Sequence, residues 1–303
     1  MVASLLSATA WRAKLLTTAA YQRTLSSSRT AVVVGATSGI GEACAHRLAE
    51  QGYLVVAVGR PNKSGRAEAV VEALSEKSKQ SPGRATTSEI PAHEFYGCDA
   101  FSLADVHKVA SDIQTKHPKI DALIMTQGMA TTQGFTPTSE GNDQKLTLHF
   151  YSRMALIQSL LPALRKSSMP AVVLSILSGG VHGPYKHLKD DPTLQKNYSI
   201  KNAADAAGFY NDLALDKFAV DNPGIRFVHA SPGFVNTNWG TEFHPILRGI
   251  VRLMQPLGKQ PSECAELMLG PTVFAADGGE DLPSLPLRAD GSAILKKAGA
   301  VSG

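Results

Sequence analysis

Six short runs of apolar and β-branched residues recur along the chain: "TAVVVG" (30–35), "YLVVAVG" (53–59), "HEFYGCD" (93–99), "DALIMTQ" (121–127), "AVVLSIL" (171–177) and "IRFVHAS" (225–231). Most are continuously apolar and do not alternate, the pattern of strands covered on both faces. Between them, 40–51, 64–80, 102–116, 140–167 and 199–221 carry the longer patterns of helices. Strand–helix alternation of this kind predicts a parallel sheet with helices on both sides, wound by right-handed crossovers. The stretch "SPGRATTSEIPA" (81–92) reads as a surface loop, and no repeat or low-complexity linker divides 30–303 into more than one domain.

Composition narrows the class. Apolar residues make up 43% of the 303 positions and charged ones only 18%, which suits a large covered core. Cys44, Cys98 and Cys264 show neither disulfide nor zinc spacing, so no metal site is expected. The net charge of +4 resides in residues 1–29, where Arg12, Lys14, Arg23 and Arg29 face no acid, leaving 26 cations against 26 anions in the body. A neutral body argues against a nucleic-acid surface. The acid-free leader, rich in Ala, Ser, Thr and Leu, has the composition of a mitochondrial transit peptide, the alternative being an arm packed on a cytoplasmic domain. No run of 18 apolar residues offers a transmembrane span.

The strongest chemical signal is "AVVVGATSGIGEACAHRLAEQG". A strand runs into Gly35, Thr37, Ser38, Gly39, Ile40 and Gly41 and then a helix, with Gly52 placed to end it. Glycines let the backbone turn and approach a pyrophosphate, and the helix N-terminus favours its charge. With this turn, the expected fold is a Rossmann-type α/β doubly wound parallel sheet. After the second strand, "VAVGRPNKSG" places Arg60 and Lys63 where NAD-preferring enzymes carry an acid. A guanidinium there suits a 2′-phosphate, so NADP is expected and NAD less so. Asp99 ends the third strand, where a carboxylate either accepts from an adenine amino group or caps the next helix.

These residues resemble the short-chain dehydrogenase/reductase family over roughly 30–240: "GATSGIG", Asp99, Ser178 after the fifth strand, Tyr198 with Lys201, and "SPGFVNT" (231–237). The resemblance implies hydride transfer between nicotinamide and a small carbonyl or secondary alcohol, with Pro232, Gly233, Val235 and Thr237 cradling the nicotinamide. It also implies a homodimer or homotetramer. Where the family has Asn-Asn-Ala-Gly, this chain has Met125, Thr126, Gln127 and Gly128, and the family's relay Asn aligns with His149. Imidazole titrates near neutrality, so a relay through His149 is one reading and a buried helix histidine the other.

The third departure is spacing. The family places its catalytic Tyr four positions before a Lys on a helix, whereas Tyr198 stands three before Lys201. Positions i+3 and i+4 share a helix face, so an ammonium from either could lower the phenol's pKa. Tyr198 is therefore expected as acid/base, Lys201 as its activator and Ser178 as the oxygen binder. A literal Tyr185–Lys189 pair precedes "DDP", where a helix cannot continue, and is not preferred. His182 and His187, in the loop between Ser178 and Tyr198, are candidates for substrate contact or plain surface residues. The helical pattern at 242–258, inside a substrate-side region spanning 240–280, suits either a lid over an apolar substrate or a core helix. The departures also motivate a rival reading, a catalytically silent NADP-binding sensor or scaffold.

Overall fold

A computed structural model describes residues 29–60, 65–80, 91–238 and 243–274. The leader before Arg29, Lys63, most of the 81–92 loop and the end of the 240–280 region lie outside the described residues. The first described residue already belongs to the fold. Arg29 is buried, its carbonyl accepts from Leu54 N–H, and its guanidinium donates to the Tyr53 hydroxyl.

The described chain runs β1 (Thr30–Val34), α1 (Gly39–Glu50), β2 (Leu54–Gly59), α2 (Arg66–Lys79), β3 (Glu94–Gly97), α3 (Leu103–Lys116) and β4 (Ala122–Met125). A short helix α4 (Gln144–Leu146), a π-helical turn (Thr147–Tyr151) and α5 (Ser152–Leu164) follow, then β5 (Ala171–Ile176), α6 (Ile200–Asp221) and β6 (Ile225–Ala230). Beyond β6 come α7 (Pro245–Met254) and α8 (Pro261–Leu269). The six strands form one sheet in the order β3-β2-β1-β4-β5-β6, and each neighbouring pair is parallel. This is the doubly wound Rossmann-type fold the alternation predicts.

The continuous apolar strands are explained by two buried layers. Ala31, Val33, Val55, Ala57, Ile124 and Leu174 face α1 and α8, while Val32, Val56, Leu123, Met125 and Val173 face α3 and α5. Each such Val, Leu or Ile side chain contributes about 1.5–3 kcal/mol by leaving water. Side-chain caps fix where the helices begin. Ser102 Oγ accepts from Asp105 N–H and starts α3, and Ser199 Oγ accepts from Asn202 N–H and starts α6. Ser102, not Asp99, is the cap of α3. The side chain of Asp99 instead accepts from Phe101 N–H in the turn before it.

Order reversal in the sheet falls between β1 and β4, so the C-terminal ends of those strands open a crevice there. The turns after β1, β4, β5 and β6 surround it.

Candidate functional site

The β1–α1 turn is built for close backbone approach. Gly35 and Gly39 hold φ of +85° and +61°, which L side chains rarely adopt. A Cβ on Gly41 would lie 2.2 Å from Gly35 O and 2.4 Å from Thr126 Oγ1, so turn, helix and β4 meet with no room between them. Ser38 makes no side-chain cap bond, which leaves the first-turn N–H groups of α1 facing the crevice. From the other side, Thr237 reaches Gly39, its methyl 3.0 Å from where a Cβ would stand. Thr237 is itself fixed, its N–H donating to Val235 O and its carbonyl accepting from Gln255 Nε2 at 2.6 Å. Gly233 has φ of +66° in the same segment. Arg60 follows β2 and is exposed, and Thr37 packs its methyl against Gly59. An anionic dinucleotide fits this lining: free N–H groups at a helix end, glycines where backbone must come close, and an exposed cation beyond.

The expected Tyr198–Lys201 pair does not form. Because Ser199 is the helix cap, Tyr198 precedes the first turn of α6 and shares no helix face with Lys201. Lys201 points into solvent, 79% exposed, and pairs with Asp205 one turn on. The phenol has a different ammonium, Lys145 of α4, whose Nζ donates to Tyr198 Oη at 2.9 Å and to Gln133 O at 2.7 Å. Burial, then the charge of Asp143, pushes the Tyr198 phenol up to about 12, the opposite of the expected lowering. Burial also holds the Lys145 ammonium below its ordinary value, against the pull of Asp143. The literal alternative fails as well, since Tyr185 is buried and donates to Asp191 O at 2.8 Å.

The residue of α6 that faces Ser178 is Gly208. A Cβ there would lie 2.7 Å from Ser178 Oγ and 2.4 Å from both Cγ and Nδ1 of His182. Gly208 lies eight positions after Ile200, about 12 Å of helix at 1.5 Å per residue. Tyr198 therefore stands well up the helix from the serine. Ser178 Oγ is buried and has no hydrogen-bond partner among the described residues. Beneath it lies a compact polar cluster. His182 Nδ1 meets Ser178 O at 2.9 Å, and His182 Nε2 lies 3.3 Å from Asp212 Oδ2. Asp212 Oδ1 accepts from His229 Nδ1 at 2.7 Å, and His229 Nε2 accepts from Ser178 N–H at 3.2 Å. Asp212 stands four positions after Gly208. In this chain, then, the helix position beside the Ser178 hydroxyl carries a glycine, and the position one turn on carries Asp212, which meets His182 and His229. His182, read from sequence as a substrate contact or surface residue, is mostly buried, whereas His187 is the surface residue, paired with Asp190.

His149 lies in the π-helical turn, and its Nε2 accepts from Met129 N–H at 3.0 Å. Burial, helped by the charges of Arg153 and Lys145, drives its pKa down to about 3. The imidazole is thus neutral and committed to the loop after β4, not a group titrating near neutrality. Its carbonyl accepts from Asn211 Nδ2 of α6 at 2.8 Å, which ties the turn to that helix. Sequence reasoning missed the fully buried Arg153, which donates to Met125 O, Gln127 O and Ser175 Oγ at 3.0, 2.6 and 2.7 Å and so binds the ends of β4 and β5 together. Gly128 sits beside His149 in the same loop.

Sheet order, crevice and glycine turn define a dinucleotide-binding α/β protein. The sequence model of the short chain dehydrogenase family matches residues 29–245, and the chain belongs to that family. Among curated proteins it is 30% identical over 209 residues to the NmrA-like family domain-containing oxidoreductase notO of Aspergillus sp., covering 68% of this chain and 60% of the relative. It is 34% identical over 246 residues to mouse polyprenol dehydrogenase, covering 78% and 69%. The chain spans about three fifths of the length of the first of these relatives. An alcohol dehydrogenase of Thermococcus sibiricus complexed with 5-hydroxy-NADP shares the fold at TM-score 0.62 and 17% identity, over 89% of this chain and 100% of that one. A 3-ketoacyl-(acyl-carrier-protein) reductase of Brucella melitensis complexed with NADH does so at 0.60 and 20%, over 87% and 97%.

Proposed function

We propose that the protein is an NADP-dependent oxidoreductase acting on a carbonyl or secondary alcohol of moderately apolar character. The observation that carries this reading is Ser178, a buried hydroxyl without a partner among the described residues, two positions past the C-terminal end of β5 in the same parallel sheet whose β1 end carries the glycine turn. When bound, the nicotinamide supplies or accepts the hydride. Ser178 holds the substrate oxygen and polarises it, a donor of the kind worth about 10²–10³ in rate. Gly35, Thr37, Ser38, Gly39, Ile40 and Gly41 hold the pyrophosphate, Arg60 the 2′-phosphate, and Pro232, Gly233, Val235 and Thr237 the nicotinamide end. Gly128 borders the ribose from the loop after β4, and Asp99 stands beyond the end of β3 for the adenine.

Several relatives support the class: curated oxidoreductases, a polyprenol dehydrogenase, and an alcohol dehydrogenase seen with an NADP derivative. The apolar character of the substrate rests on the segment after the nicotinamide cradle. There Ile250, Leu253, Met254 and Leu257 expose their side chains along α7 and the turn after it, leaving an apolar rim. Tyr198, held by Lys145 and lying ahead of the Ser199 cap, is given no part at the reacting oxygen. Calorimetric titration tests the nucleotide half. NADPH is expected to bind more tightly than NADH, and Arg60→Ala to weaken NADPH about tenfold or more while leaving NADH unchanged. Equal affinity for the two in the unaltered chain contradicts the NADP assignment.

A further inference from the structure

The helix α7 carries apolar residues on its outer side. Val251 and Gln255, one turn apart, are buried and anchor it to the body. Ile250, Leu253 and Met254, with Leu257 in the turn that follows, are exposed, Leu253 by 81% and Leu257 by 82%. Spacings of three, four and seven from Ile250 set these four in one stripe. A helix resting on a folded body normally turns a polar side to water, because apolar surface left there forgoes the gain of burial. Phe234 is exposed next to the stripe, its ring Cδ1 3.1 Å from where a Cβ on Gly258 would stand.

Charge follows the stripe. Between Glu242 and Glu263 the chain carries Arg248, Arg252 and Lys259 and no acid, although the body as a whole balances 26 cations against 26 anions. Arg248 is exposed, and Arg252 donates to two neutral groups, Asn238 Oδ1 at 3.0 Å and Gln255 Oε1 at 2.8 Å. Neither charge is cancelled by a carboxylate among the described residues. The two arginines are four apart and form a row beside the stripe. A Cβ on Gly249, which lies between that row and the stripe, would meet nothing within 4 Å, so the body leaves this side open. Arginine stems can lie along apolar surface while their heads reach for anions.

What covers the stripe must suit both features. A second copy set face to face would bring Arg248 and Arg252 against the same cations, with no acid in the segment to meet them. A bilayer meets both, its acyl boundary taking the apolar side chains and its anionic headgroups the cations. Among the described residues no helix is long and apolar enough to cross a membrane, so such contact is peripheral. We infer that α7 and the turn after it form a docking surface for a bilayer bearing anionic headgroups, with the helix lying in the plane of the interface.

This surface is tied directly to the Pro232–Thr237 segment. Gln255 Nε2 donates to Thr237 O at 2.6 Å, Lys259 N–H to Phe234 O at 3.1 Å, and Asn236 N–H to Lys259 O at 2.9 Å. A helix resting on lipid therefore brings that segment to the bilayer surface. The consequence is a substrate class, a carbonyl or alcohol dissolved in the bilayer and taken up from it. That consequence rests on the oxidoreductase reading, whereas the docking surface does not.

Flotation of the full chain with unilamellar vesicles, in the absence of nucleotide and substrate, tests the surface. The chain is expected to bind vesicles of phosphatidylcholine mixed with phosphatidylglycerol, and Arg248→Gln to bind them about fivefold more weakly. Leu253→Ser together with Leu257→Ser is expected to abolish binding while thermal unfolding stays unchanged, because both side chains stand in water. An unaltered chain that does not float, or a double serine variant that still does, overturns the docking surface. So does a double serine variant whose only change is the loss of a dimer by light scattering, which would make the face a self-contact. For the substrate class, a long-chain aldehyde carried in the same vesicles is offered with NADPH. Arg248→Gln is expected to raise its KM about fivefold with kcat kept, and an unchanged KM overturns uptake from the bilayer. A chain that floats but reduces no carbonyl overturns the oxidoreductase reading and that uptake with it, and leaves the docking surface standing.

Discussion

A glycine inside a helix costs roughly 1 kcal/mol relative to alanine, so Gly208, in the middle of the 22-residue α6, needs a reason. Its reason is His182 and Ser178, both too close for any Cβ. This was legible in the sequence as an oddity and no more: "AADAAGFYNDLALDKF" shows the glycine, but not what packs on it. The same holds for Lys145. Its partner Tyr198 is 53 residues away, and no local spacing joins them. The spacing of Tyr198 and Lys201 puts them on one face only where a single helix includes both, and the Ser199 cap leaves Tyr198 outside the helix. Gly208→Ala should therefore be costly, about 1–3 kcal/mol of overpacking in place of the usual gain from replacing a helical glycine. Denaturant unfolding checks this. A more stable Gly208→Ala would show that His182 does not occupy the space.

At the scale of elements, the strands and most helices follow from the spacing of apolar residues, because burial on both faces leaves little freedom in β1, β2, β4, β5 and β6. The loop from Ser178 to Ser199 was legible only as extra length. What orders its second half is Asp191, a buried carboxylate accepting from the N–H groups of Gln195, Lys196 and Asn197 at 2.8, 3.0 and 2.7 Å. Burial disfavours its charge, but those N–H groups more than compensate and hold its pKa below the ordinary 3.8. A depressed carboxylate contributes stability that is present above 3.8 and is lost as pH falls through the folded value. Amide exchange at Gln195, Lys196 and Asn197 should accordingly rise in acid below pH 3.8 relative to the β-sheet amides. Asp191→Asn should show the faster exchange already at pH 7. Unchanged protection in that variant would mean that the loop is ordered by its apolar contacts, Leu194 and Tyr185 foremost.

Taken as a whole, the molecule separates a glycine-turn half that keeps the family's sequence features from the surroundings of Ser178, which do not. The glycine turn, the exposed Arg60 and the Pro232–Thr237 segment could be read from sequence because each is local: a few residues whose backbone makes the site. The surroundings of Ser178 are assembled from β5, the following loop, α6 and β6, so His182, Gly208, Asp212 and His229 meet only in the fold. The central claim is hydride transfer at Ser178. It is tested most directly by following the loss of reduced nicotinamide when the full chain and its Ser178→Ala variant meet NADPH and a panel of aliphatic, cyclic and polyisoprenoid aldehydes and ketones. The account predicts that the chain reduces at least one apolar carbonyl and that Ser178→Ala slows this by about 10²–10³ while still binding NADPH. Tight NADPH binding with no carbonyl reduced, or a Ser178→Ala variant as fast as the unaltered chain, would contradict it.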